Sequence, residues 1–115
     1  MGDEINKIIA QAKTLIRQQK YAECEALVCT AMFQHPHDPV PHNLMGLLLE
    51  HRRLHTDAMK HFRAAYALDP TYPPAQWNME CFAGMYKRQT EAYFPCDCSK
   101  ERNSNTGNRE GCSCT

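Results

Sequence analysis

Apolar residues along this chain recur in steps of three and four, the rhythm of helices that bury one face. Ile5, Ile8, Ile9, Ala12, Leu15 and Ile16 form the first such stripe, and Asp3 and Glu4 suit its positive N-terminal end. A polar break at Gln18 to Lys20 precedes a second stripe of Tyr21, Cys24, Leu27, Val28, Ala31 and Met32. That helix must end before Pro36, because proline lacks the N–H donor needed for continuation. A third helix is expected near residues 40–52, burying Leu44, Met45, Leu48 and Leu49. A fourth is expected near 56–68, with Thr56 as its N-cap and Ala58, Met59, Phe62, Ala65 and Tyr66 inward. After Pro73 and Pro74 a fifth begins, with apolar residues on two sides: Ala75, Met79, Phe82 and Tyr86 form one stripe, Trp77, Cys81 and Met85 another. A helix apolar on more than one side has more than one neighbour. The second neighbour is a bound peptide, a second subunit or the chain's own tail folding back.

The first two helices can be laid on the next two at an offset of 34 residues. Ile8 falls on His42, Ala12 on Gly46, Leu15 on Leu49, Tyr21 on His55, Cys24 on Ala58, Val28 on Phe62, Ala31 on Ala65 and Pro36 on Pro70. Pairs of amphipathic helices with this period resemble the tetratricopeptide repeat family. The second copy carries the likeness best, in Asn43-Leu44-Met45-Gly46, Leu49, Ala58, Phe62, Ala65 and Asp69-Pro70. The resemblance implies an all-α fold of antiparallel helix-pair repeats, a small solenoid. Its helical domain would span residues 1–90, with full repeats at about 5–36 and 39–70 and a half repeat at 73–89 serving as a cap. Residues 91–115 would form a polar, cysteine-containing tail, disordered unless it binds metal.

In that family the first helices of successive repeats line a concave groove that holds peptides or partner proteins. Carried over by position, the groove residues are Asn6, Ile9 and Lys13, then Asn43, Leu47 and Glu50, then Trp77, Cys81 and Met85. Ile9, Leu47, Trp77 and Met85 would make an apolar floor, with Lys13, Asn43 and Glu50 as polar contacts; a shift of the third repeat by one residue would instead put Trp77 at the family's buried Trp position. The chaperone-binding members hold a C-terminal carboxylate with Lys, Asn, Asn, Lys and Arg. The matching positions here hold Ile9, Lys13, Leu44, Pro74 and Asn78, so that clamp is missing. The expected function is a protein-interaction module that takes a peptide or partner helix, or a second copy of itself as a homodimer.

Composition narrows this picture. The 115 residues balance 13 basic against 13 acidic side chains, which argues against nucleic acid or an anionic membrane as partner. No apolar run is long enough to span a bilayer, and the N-terminus lacks the pattern of a signal peptide, so the cytoplasm is the expected compartment. Seven cysteines there read as thiols or metal ligands before disulfides. Cys24 stands at a core position. Cys96, Cys98, Cys112 and Cys114 form two C-x-C pairs that suit zinc or another thiophilic metal, free redox-active thiols, or a disulfide pair. A metal-binding or thiol-redox protein that docks through its repeats is therefore the alternative reading. Six histidines lie between His35 and His61, with a turn expected between His51 and His55. Neither a phosphate-cradling glycine loop nor a nucleophile with its base is evident, so an enzyme is not expected.

Overall fold

The computed structural model of the chain describes residues 2–82 and 91–98. Five α-helices follow one another: α1 (Gly2–Arg17), α2 (Tyr21–Gln34), α3 (Pro39–His51), α4 (His55–Leu68) and α5 (Pro73–Phe82). A short 3₁₀ turn, η1, covers Pro95–Cys98, and no strand occurs among the described residues. Each α-helix packs on the next in the chain, and α1, α3 and α5 also pack on one another in turn. Among the described residues no helix is long and apolar enough to cross a membrane.

The junctions explain this arrangement. Gln19 and Arg53, 34 residues apart, both take a left-handed backbone with φ of 62° and 67°. Each reverses the chain within three residues, and the bonds around it recur at the same offset. Lys20 N–H donates to Leu15 O at 2.9 Å, and Leu54 N–H donates to Leu49 O at 2.8 Å. Asp38 N–H to His35 O and Tyr72 N–H to Asp69 O repeat the correspondence at the two proline-rich connectors. At the start of α3, Asp38 caps Val40 N–H at 2.9 Å, with Pro39 supplying a first turn that needs no donor.

Two local expectations change. Thr56 is not the cap of α4; that helix begins at His55 with Leu54 as N-cap, which makes no side-chain cap bond. The bond from Leu54 N–H to Leu49 O closes the turn one residue early and leaves Thr56 inside the helix. Tyr66, expected inward, is exposed, because the buried stripe of α4 is the narrower set Ala58, Phe62 and Ala65.

The core joins Ile8, Ile9, Ala12 and Ile16 of α1, Cys24, Val28 and Ala31 of α2, and Leu44, Leu47 and Leu48 of α3 with Phe62 of α4. Tyr93 and Phe94 belong to the same cluster. The stretch assigned from residue 91 to a polar tail therefore starts with a packed segment: Ala92, Tyr93 and Phe94 are all buried. Their apolar side chains, followed by a turn, fill a face that the helices alone leave open. Residues 99–115, and the last part of the half repeat at 83–90, lie outside the described residues.

Gly46 sets how closely α3 meets α4. A Cβ placed there would stand 2.5 Å from Cε1 of the Phe62 ring, which itself stacks on Phe82 at 5.9 Å between centroids. A ring held on both faces cannot yield as a flexible chain end does. Gly46→Ala is therefore expected to lower stability by about 1–3 kcal/mol despite alanine's better helix propensity. Urea unfolding followed by circular dichroism measures this; a variant as stable as wild type would show that the α3–α4 contact is loose.

Candidate functional site

One face of the molecule is lined by α1, α3 and α5, and four residues of the chain's own later part, Glu91 to Phe94, lie on it. Helical spacing builds the face. On α3, Asn43, Leu47 and His51 follow each other at intervals of four and so share one stripe. On α1, Ile9, Lys13 and Arg17 do the same. On α5 the face is represented by Asn78.

The centre is the main chain of one residue, Ala92, held by two side-chain amides. Asn78 Nδ2 donates to Ala92 O at 2.8 Å, and Asn78 Oδ1 accepts from Ala92 N–H at 2.8 Å. Its remaining N–H goes to Asn43 Oδ1 at 2.8 Å, and Asn43 Nδ2 reaches Ala92 O at 3.2 Å. Both asparagines are completely buried. An amide buried without partners costs about 1–3 kcal/mol, so the pair requires a main chain, or something that hydrogen-bonds like one, at this spot. Ala92 is itself 0% exposed, so its methyl group is fully enclosed.

The flanking residues add apolar burial and charge. Tyr93 and Phe94 are 3% and 8% exposed, and burying an aromatic ring of this size contributes about 1.5–3 kcal/mol. Lys13 Nζ lies 5.3 Å from the centroid of the Tyr93 ring, a cation–π contact. The Asp97 carboxylate accepts from both Tyr93 and Phe94 N–H at 3.0 Å, which turns the chain into η1. At the other end, His51 Nε2 meets both oxygens of Glu91 at 2.9 and 3.0 Å, and Tyr93 O–H donates to Glu91 Oε2 at 2.7 Å. The hydrogen bond to Glu91 raises the His51 pKa against the opposing effect of burial. Burial alone would raise Glu91, but hydrogen bonds from His51 and Tyr93 and the charges of His51 and Arg17 outweigh it and hold the carboxyl below its usual range. Burial, reinforced by the Glu91 charge, pushes the Tyr93 phenol up, so it stays a neutral donor.

Against this geometry the residues expected in a groove divide. Lys13 and Asn43 meet the segment directly. Ile9 and Leu47 are buried, at 2% and 0% exposure, in the cluster that contains Tyr93 and Phe94, and are not an open floor. Asn6 is half-buried on α1. Glu50 turns to His55, whose Nδ1 lies 2.6 Å from Glu50 Oε2, because its place on α3 is one residue off the Asn43–Leu47–His51 stripe. Trp77 is half-buried and Cys81 buried on α5; Met85 lies outside the described residues. Asn78 stands beside Asn43, where the 34-residue offset had placed Trp77, so the register slips by one residue at the start of α5.

Asn78, His51 and Arg17 were not assigned to the face from sequence. Asn78 had appeared only as a mismatch to the carboxylate clamp, and the spacing of His51 and Arg17 to Leu47 and Lys13 was the signal available for the other two.

Of the expected metal ligands, Cys112, Cys114 and the Cys96 side chain lie outside the described residues. Cys98 is half-buried in η1, and burial together with the Asp97 charge pushes its thiol up to about 12, which disfavours a thiolate. No group of three metal-capable side chains occurs among the described residues. Burial likewise raises Cys24 to about 11, as a core thiol requires. His42 packs on His61, ring centroids 5.3 Å apart with 3.1 Å between the Nδ1 atoms, and burial lowers the pKa of both.

The His51–Glu91 pair gives segment docking a pH window. A raised His51 pKa stabilises the docked state fully below the free value of 6.5, and this is lost as pH rises through the raised value. A lowered Glu91 pKa stabilises above the free value of 4.5, and this is lost as pH falls through the lowered value. Docking is thus expected to be tightest between pH 4.5 and 6.5 and weaker at pH 8. Protection of the Ala92 amide from hydrogen exchange, corrected for intrinsic rate, reads this; His51→Gln should flatten the profile, and an unchanged profile would show that the pair does not hold the segment. Compared with known proteins, the chain matches no family model, no curated protein and no solved structure.

Proposed function

We propose that this chain is a tetratricopeptide-like interaction module that grips an extended stretch of a partner protein on the face of α1, α3 and α5. The observation that carries this reading is the grip of Asn43 and Asn78 on both the N–H and the C=O of one residue, Ala92. Such a grip recognises main chain, which every extended peptide offers, and leaves selectivity to the flanking side chains. The reading as two helix pairs followed by a lone first helix is supported by the 34-residue offset. That offset recurs in the apolar pattern and in the left-handed residues Gln19 and Arg53.

Lys13, Arg17 and His51 supply positive or protonatable groups along one edge of the face, a setting for a carboxylate on the ligand. We place the module in the cytoplasm, the compartment expected from its N-terminal pattern and hydropathy. A metal or redox role draws no support from Cys98, whose thiol is held neutral.

Short peptides selected from a random display library on the full chain test this function. They are expected to perturb the side-chain amide signals of Asn43 and Asn78 in NMR spectra. They should also bind Asn78→Ala about tenfold or more weakly than wild type, since a lost amide partner is worth about 1–3 kcal/mol. Failure to recover binders, or binders indifferent to Asn78→Ala, would overturn the assignment. A charge at Leu47 is a poor test, because that side chain is fully buried and the change is expected to unfold the domain.

A further inference from the structure

Resting on that reading, we propose that Glu91-Ala92-Tyr93-Phe94 is an internal stand-in for the partner. Its sequence would then state the ligand class: a peptide with an acidic residue, a small residue and two aromatics in succession, bent at the aromatics, which enters by displacing it.

Three observations carry this. The first is the chemistry of the face. A permanent core contact is best made by apolar side chains, yet the centre of this one is a pair of fully buried asparagines. Their donors and acceptors are satisfied by the main chain of Ala92 and by each other. Released from the segment, the same amides are ready for the N–H and C=O of a residue of another chain.

The second is that each position of the segment meets a surface selective for its type. Glu91 faces His51 and the Arg17 charge; Ala92 is fully enclosed; Tyr93 lies under Lys13. Phe94 enters the apolar cluster that includes Ile9 and Leu47. A ligand with a large residue at the second position is excluded by volume, and one with a basic residue at the first by charge.

The third is the fastening of the segment. The His51–Glu91 pair holding its leading end is 35% and 25% exposed, so it is screened by solvent and sensitive to pH. A contact of this kind belongs to an element that opens locally without the helices unfolding.

The test uses the full chain and a synthetic peptide of residues 90–98 carrying Cys96→Ser and Cys98→Ser. Ala92→Arg in the protein places a long charged side chain where a methyl group fills the space, and expels the segment while leaving Asn43, Asn78 and the helices in place. By titration calorimetry this variant is expected to bind the peptide at least tenfold more tightly than wild type. A peptide that itself carries Ala92→Arg, or Tyr93→Ala, is expected to bind it at least tenfold more weakly. An Ala92→Arg protein that keeps its helical circular dichroism and does not bind the peptide overturns the proposal.

Hydrogen exchange on the unaltered chain gives an independent result, which stands even where Ala92→Arg fails to fold. The Ala92 amide should exchange through an opening at least tenfold more frequent than that of the α3 amides. Equal protection would make the segment a fixed part of the core and overturn the proposal. A wild-type dimer abolished by Ala92→Arg would identify a second copy as the occupant, and would also overturn it. Selected peptides that bind through Asn78, lack the acidic–small–aromatic pattern and do not compete with the synthetic segment would remove this ligand class while leaving the peptide-binding function intact.

Discussion

Two asparagine amides, buried side by side on neighbouring helices, need the main-chain N–H and C=O of one residue of the segment against them. Asn78 uses both donors and its acceptor there, and Asn43 joins it on the same carbonyl. A buried amide left open is costly, and the cost couples the separation of α3 from α5 to the presence of the Ala92 main chain. The aromatic residues that follow supply most of the binding energy, because ring burial outweighs the net worth of a hydrogen bond, about 0.5–1.5 kcal/mol. The amides supply register: a shift by one residue would set a side chain larger than alanine in the enclosed position.

The packing behind the face holds those amides in place. Gly46 lets the Phe62 ring lie against α3, and Phe62 in turn stacks on Phe82 with their planes 5° apart. α3 and α5 are thereby clamped to α4 by one aromatic stack, and α3 and α5 carry Asn43 and Asn78. A change at Gly46 therefore reaches the face through Phe62, Phe82 and the placement of α5, without touching the segment.

Charge acts locally. The chain as a whole is neutral, yet Lys13, Arg17 and His51 gather along one edge of the face, two of them in the final turns of helices where a positive side chain also suits the backbone carbonyls. Glu91 answers that edge, and Asp97 bonds the backbone N–H groups of Tyr93 and Phe94. A balanced net charge gives a polyanion no overall attraction, whereas a carboxylate-bearing peptide needs only the few groups within contact.

How much was legible in the sequence differs between the helices and the face. The apolar rhythm determined the five helices and most of their inward residues, because burial on a helix follows spacing along one segment. The break at Gln18 to Lys20 determined where α1 ends, and Pro36 and Pro70 where α2 and α4 end. The same 34-residue offset reappears in the two junctions, where a left-handed residue and its bonds are local events. Tertiary structure decided which residues meet across helices. Asn78 rather than Trp77 stands beside Asn43 because of a one-residue slip at a proline-rich connector, a difference within the error of any repeat alignment. His51 rather than Glu50 joins the face because helix rotation is set by packing. Above all, the pairing of residue 92 with residues 43 and 78 spans 49 and 14 positions of chain, and no periodicity within a helix encodes a contact made by folding the chain back on itself.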